Sequence, residues 1–458
     1  MAWVAKFVAL AGVSLVSAAG LAFPLTAQSL DGVWTSDGYG TLVEARGDRI
    51  LAFEITSISC IPTWTADRVA GGETGAVVFK RRDTPAKFAL RPGSSSSAWW
   101  FQPYGAASSA RFRRVTSRPA SCGKPTANDP ETTFEVLWTT FAEQYGFFGV
   151  RGVDWPGVYR RFRPQVTATT TPAALFDIFK AMLEPLHDAH TYLAAKDIDG
   201  RFHGSRTDPN PLSDKDRETV AQIIQTRYLK GALRSWCNGR VGYGVLNDST
   251  GYLRISGFSR YTDDGDYEHG TVALEAALDT IFQDGAKLRG LVIDVRVNGG
   301  GNDPWGVAVA SRLTAQPYLA FAKEARADLH DASRWTPSQE SRARHTTRPH
   351  FLGRVVELTG INSVSAAETF TMALMGRTPH ITRIGESTQG VFSDVLGRTL
   401  PNGWNFGLPN ERFLTQDGVA FDGPGVPPDE VVPVFPKSDL ESGRDGALER
   451  ALQVLAGP

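Results

Sequence analysis

Cysteine is scarce, with three in 458 residues. That is too few for a disulfide framework in a chain of this length. No two of them form a CxxC pair, which argues against a structural zinc module. Lysine is scarce as well, at 11 residues against 37 arginines, so a lysine is rarely on hand as a catalytic base. Excess charge of either sign is missing. The net charge of −1 leaves no basic footprint for a nucleic-acid partner. Long apolar runs are absent after the first residues, so no later segment is expected to span a membrane. What is present is 41% hydrophobic residues, enough to bury real cores and to exclude a wholly disordered chain. At roughly 100–200 residues per domain, the length implies several domains.

Residues 1–27 read as a signal peptide. Met1–Lys6 carries one positive charge, and Phe7–Ala22 is small and apolar. Cleavage after Ala27 or Ala22 would leave a mature protein in the periplasm or outside the cell. In that oxidising setting Cys60 and Cys122, which flank one segment, could pair and leave Cys237 as the odd thiol.

Residues 28–125 read as an all-β module, a small antiparallel sheet or barrel of unknown role. Its short apolar runs, such as Thr41–Val43 and Ile50–Ile55, are bounded by Gly, Ser, Asp or Pro. Residues 126–203 change to a helical period, with Phe134, Leu137, Phe141 and Tyr145 on one stripe. Asp129 can cap the first helix with Pro130 at its first position. The last helix of this bundle is expected to run through Ala173–Leu186 and to end in His187-Asp188-Ala189-His190. From residue 204 to 458, strands alternate with helices, which implies a parallel-rich sheet covered by helices.

Three places hold polar residues where such elements meet. In Asp294–Asn302, the glycines 299–301 follow a buried strand. They can turn backbone N–H groups toward a developing negative charge, although a plain strand-to-helix loop is the blander reading. Ser365 opens a helix after a strand, where free N–H groups and the helix dipole favour an oxyanion. On these residues alone an N-cap serine, with Glu368 completing a capping box, is the favoured reading. His187 and His190 would share a helix face, but no third ligand cluster accompanies them, so no metal is expected. A serine nucleophile needs a base, and His190 is better placed for that than His203 or His269.

Four segments in order, Asp294–Gly301, Ser365–Glu368, Gly385–Asp394 and Gly423–Asp429, resemble peptidase family S41, that of the tail-specific proteases and the tricorn core protease. The resemblance covers roughly residues 130–435. It implies an α/β fold: a crotonase/ClpP-like core preceded by a helical bundle. The β module lies outside it. In the family's S-A-x-E motif the serine is the nucleophile, which corresponds to Ser365 and not Ser363. Val391 stands where the processing proteases carry their catalytic lysine. The tricorn-like branch uses histidine and an acid, and these correspond to His190 and to Asp422, where many relatives carry Glu. Ala189 stands where tricorn has a serine before its histidine. Many relatives insert a PDZ domain, for which the span from His190 to Tyr252 is too short.

The function implied is that of an exported serine-type peptidase. Ser365, His190 and Asp422 would be its catalytic residues. The N–H groups of Gly299 or Gly300, with that of Ala366, would form the oxyanion hole. The substrate would be a peptide or protein, with no cofactor. The alternatives are an esterase with the same triad and a non-catalytic carrier of apolar ligands on the same scaffold. Nothing in the sequence sets the oligomeric state.

Overall fold

A computed structural model describes residues 29–457 apart from 72–74, 96, 207, 209–210, 329–330 and 332. The signal peptide read at residues 1–27 lies outside the described residues.

Eight antiparallel strands, from Gly32–Ser36 to Ala110–Val115, pair in sequence order, and the last returns to the first to close a barrel. Closure removes the free edges that an open sheet would present. The interior is filled by Trp34, Ile50, Phe79, Phe88, Trp99 and Phe112, all buried. The barrel's exit is fastened covalently, because Cys60 is disulfide-bonded to Cys122. Cys237 is free and buried.

Three helices follow, Pro130–Gln144, Trp155–Phe162 and Pro172–Leu183. The first begins as its sequence dictates: the Asp129 side chain accepts the Thr132 N–H at 2.8 Å, and Pro130 sits at the first position, where no N–H is needed. The apolar stripe of Phe134, Leu137 and Phe141 packs against Leu175, Phe179 and Leu183. Trp404, Phe406 and Leu408, far along the chain, complete this cluster. They come from the hairpin Val395–Thr399 and Asn405–Pro409, which forms one sheet with Tyr192–Ala195 and Gly200–His203. The bundle and the core are therefore joined by a shared sheet across the boundary read at residue 203.

The core is a seven-stranded sheet. Its order is Arg234–Trp236, Val241–Asn247, Thr250–Ile255, Gly290–Asp294, Arg354–Thr359, Thr382–Gly385 and Glu430–Val431. From Thr250–Ile255 onward the pairing is parallel. Every residue of Gly290–Asp294 is buried, as expected of a parallel strand covered on both faces. Leu253, Ile293 and Val355 face the helices Tyr267–Asp284, Asp303–Ser311 and Ala366–Met375. Tyr252, Val292 and Val356 face Asp214–Ile223 and Gly446–Ala456. The span between His190 and Tyr252 holds a hairpin, a helix and two further strands. No helix among the described residues is long and apolar enough to cross a membrane.

Candidate active site

Two loops of the core meet edge to edge. The first leaves the strand Gly290–Asp294 and leads into the helix Asp303–Ser311. Its start is clamped: Arg296 reaches Asp294 at 2.6 Å and Asp445 at 2.8 Å, and Tyr252 donates to Asp294 at 2.7 Å. Asp294 is thus committed to structure. The second loop leaves Arg354–Thr359 and ends at Ser365, the N-cap of Ala366–Met375. The Val364 N–H donates to the Asn298 carbonyl at 3.0 Å and so fastens the loops together.

Gly300, at φ +84°, lies where they touch. A Cβ there would come within 2.7 Å of Ser365 Cβ and 3.1 Å of the Ala366 nitrogen. Only glycine permits this approach. The Gly300 N–H is already used, since it donates to Asn298 Oδ1 at 2.9 Å. Gly299 is exposed, and a Cβ on it would meet nothing within 4 Å. Ala366 is the first residue of its helix, where backbone N–H groups have no intrahelical partner.

The two serines of the second loop differ in kind. Ser363 is buried, donates to the Val295 carbonyl at 2.8 Å and accepts the Gly360 N–H at 3.2 Å. Ser365 is half-buried and adopts φ +59°, ψ −119°, outside the ordinary regions for an L residue. That conformation is maintained by Glu368. Its carboxylate accepts the Ser365 and Val391 N–H groups at 3.0 Å, and the Gly390 N–H and Thr388 hydroxyl at 2.6 Å. One buried carboxylate therefore holds the serine and the segment 388–391. Burial pushes its pKa up to about 7. Glu368 does more than the capping box anticipated, because three of its four donors come from outside Ser365. Val391 contributes its main chain here, and its buried side chain occupies the place considered for a lysine.

His190 does not end a helix. The last helix of the bundle stops at Leu183, and a 3-10 turn carries the chain to Leu186. Pro185 within that turn and His187 in the left-handed region, at φ +46°, break the period. His187 and His190 consequently do not share a helix face. Instead Asp188 Oδ1 accepts the His190 N–H at 3.0 Å and sets a tight turn. Asp188 is buried, and its other oxygen takes the Tyr145 hydroxyl at 2.9 Å and Arg151 at 3.5 Å. Burial pushes the His190 pKa down, against the charges of Asp188 and Asp394, which favours the neutral imidazole. Its Nδ1 is buried without a hydrogen bond.

Asp422 is buried, and its Oδ2 also has no partner. Its Oδ1 accepts the Phe392 N–H at 3.5 Å. Burial pushes its pKa well above the usual carboxylate range, and the charges of Glu368 and Asp188 add to this. Asp422 thus lies within electrostatic reach of both the serine loop and the histidine turn. No hydrogen bond joins His190 Nδ1 to Asp422 Oδ2. The buried core lysine Lys323 is spoken for: it lies between Asp394 at 2.6 Å and Glu411 at 3.0 Å, which hold it protonated. The roles of Tyr145 and Arg151 had no sequence signal, because they arise from the packing of the bundle onto this turn.

A serine at a helix N-terminus, set on a parallel α/β sheet beside a glycine loop and a buried acid, is an arrangement that can serve nucleophilic hydrolysis. The model of peptidase family S41 matches residues 249–432, within the α/β core. The model of the tricorn protease C1 domain matches residues 126–184, the helical bundle. Among solved structures, a putative peptidase from Parabacteroides merdae ATCC 43184 is 27% identical, with a TM-score of 0.61; the match covers 72% of this chain and 98% of that one. Mature CPAF complexed with lactacystin shares the fold, with a TM-score of 0.53 at 12% identity over 71% of this chain and 97% of its own. A search of curated proteins finds no match.

Proposed function

We propose that the protein is an exported serine-type peptidase working by a Ser-His-Asp mechanism. Ser365 Oγ attacks the peptide carbonyl. His190 takes the hydroxyl proton and later delivers it to the leaving amine. Asp422 orients the imidazole and stabilises its charged form. The N–H groups of Gly299 and Ala366 hold the oxyanion, since that of Gly300 is engaged by Asn298.

The observation that carries this reading is the Ser365 conformation, locked at φ +59° against Gly300 at a helix N-terminus. A strained turn between strand and helix is the setting in which nucleophile turns expose a hydroxyl. Two further facts support it: the burial that favours a neutral imidazole, and unpartnered buried atoms on both His190 and Asp422. Catalytic hydrogen bonds are often loose in a ligand-free site. Export is supported by the charged-then-apolar start of the chain and by the Cys60–Cys122 disulfide.

A fluorophosphonate probe tests the mechanism on purified protein. It is expected to label Ser365, and Ser365→Ala is expected to lose both labelling and about 1,000-fold or more in peptide turnover. Full turnover by Ser365→Ala would overturn the assignment. Hydrolysis of esters with no detectable cleavage of any peptide would make the protein an esterase.

A further inference from the structure

The barrel is seated on the core. Tyr39 donates to Glu411 at 2.7 Å, Glu54 accepts the Thr399 N–H at 2.6 Å, and the Gln339 side chain exchanges two hydrogen bonds with the Ser109 main chain, at 3.0 and 2.7 Å. Between the two bodies lies a cavity of about 330 Å³. Its barrel wall is aromatic, formed by Trp64, Phe88, Phe101 and Phe112. Ring centroids are 4.1 Å apart for Phe88–Phe101 and 5.4 Å for both Trp64–Phe88 and Phe101–Phe112. Its core wall begins at Asp394, whose charge acts on the His190 imidazole. One residue of the cavity wall, Asp394, is therefore within electrostatic reach of the proposed base.

The charges lining it are already matched. Lys323 holds Asp394 and Glu411. Arg81 is bound by Asp83 at 2.6 Å, and Lys87 by Glu268 at 2.8 Å. The Arg398 side chain donates to the Tyr39 carbonyl and feels the charge of Glu54. A charged ligand would displace these pairs, whereas an apolar one would cover the rings and leave the pairs intact. The volume is at the lower end for small-ligand sites, so it suits one large side chain better than a folded segment.

We propose that this cavity receives an aromatic or large aliphatic side chain of the polypeptide substrate, making the β module a specificity element of the peptidase. The proposal rests on Ser365 being the nucleophile. Two variants act on the cavity in opposite ways: Phe101→Ala removes a ring, and Ala110→Phe fills the space. Both are assayed in the full chain against internally quenched peptides that differ at one position, Phe or Leu against Gly or Ser. The expected result is that kcat/KM for the Phe and Leu peptides falls about tenfold or more in both variants, while turnover of the Gly and Ser peptides is little changed. An unchanged preference in both would overturn the proposal.

Binding of the same uncleaved peptides to Ser365→Ala, followed by calorimetry, separates this proposal from the catalytic one. If wild type cuts no peptide, the peptidase reading falls, and the pocket is still judged by whether Ser365→Ala prefers the Phe and Leu peptides. Absence of that preference would overturn the pocket. So would saturable binding of a free aromatic compound, N-acetylphenylalaninamide, that no Phe peptide displaces.

Discussion

At position 365 the main chain occupies a conformation that disfavours any residue with a Cβ, and such strain typically costs about 1–3 kcal/mol. The strain persists because Glu368 grips the Ser365 N–H while Gly300 closes in from the other side. Ser365→Gly removes the Cβ and tolerates φ > 0, whereas Ser365→Ala keeps the strain. The glycine variant is therefore expected to be about 1 kcal/mol more stable than the alanine variant in urea unfolding, even after its larger unfolded-state entropy is counted. Equal stabilities would show that position 365 is relaxed. At this scale the sequence was partly readable. The strand-serine-helix order singled out Ser365, and the S-A-x-E spacing separated it from Ser363. The several partners of Glu368 were not readable, because Thr388, Gly390 and Val391 reach it only through the fold. The engagement of the Gly300 N–H was hidden in the same way, since it depends on which way the Asn298 amide turns.

Among the elements, those with a strong period were legible. The runs Tyr252–Ile255 and Arg354–Leu358 became the strands Thr250–Ile255 and Arg354–Thr359, and the stripe from Phe134 to Tyr145 became the helix Pro130–Gln144. The hairpin of Val395–Thr399 and Asn405–Pro409 has no such period, and its burial is decided by partners some two hundred positions earlier. For the same reason the sequence alone left the β segment open between sheet and barrel, since closure depends on Gly32–Ser36 meeting Ala110–Val115. The disulfide acts at this scale. It joins the strand Cys60–Val69 to the turn Ala120–Cys122 across a separation of 62 residues. Loop-closure entropy puts the stabilisation from such a link at about 4 kcal/mol. Cys60→Ser/Cys122→Ser is thus expected to unfold the barrel at a lower temperature than the disulfide-bonded wild type, as followed by calorimetry. If the variant melts where oxidised wild type does, the link contributes nothing to the barrel.

Over the whole molecule, the near-zero net charge means that pH acts on stability less through overall repulsion than through a few buried groups. Burial pushes Glu357 up to about 8, Glu368 to about 7 and Asp303 to about 7, and it raises Glu411 and Asp422 as well. For each of them the folded form holds its proton more tightly than the unfolded form. Their contribution is therefore fully present below the unfolded pKa and is lost as pH rises toward the folded one. His190, lowered by burial, works in the opposite sense, and its contribution is lost as pH falls below the ordinary imidazole value. Half-buried carboxylates lowered by arginines, such as Glu44 beside Arg118, lose their contribution only at still lower pH. Stability is accordingly expected to peak on the acid side of neutrality and to decline toward pH 8. Glu357 isolates the effect, because among the described residues its side chain accepts only the Thr371 hydroxyl, at 2.9 Å, and leaves Oε2 buried without a partner. Glu357→Gln keeps the shape and cannot ionise. In guanidinium unfolding it is expected to match wild type near pH 5 and to exceed it at pH 8 by on the order of 2–4 kcal/mol, since each unit of pKa shift corresponds to about 1.4 kcal/mol. A wild-type decline that Glu357→Gln fails to reduce would mean that Glu357 ionises freely in the folded protein, and the acid-side optimum would then have to come from the remaining buried carboxyls.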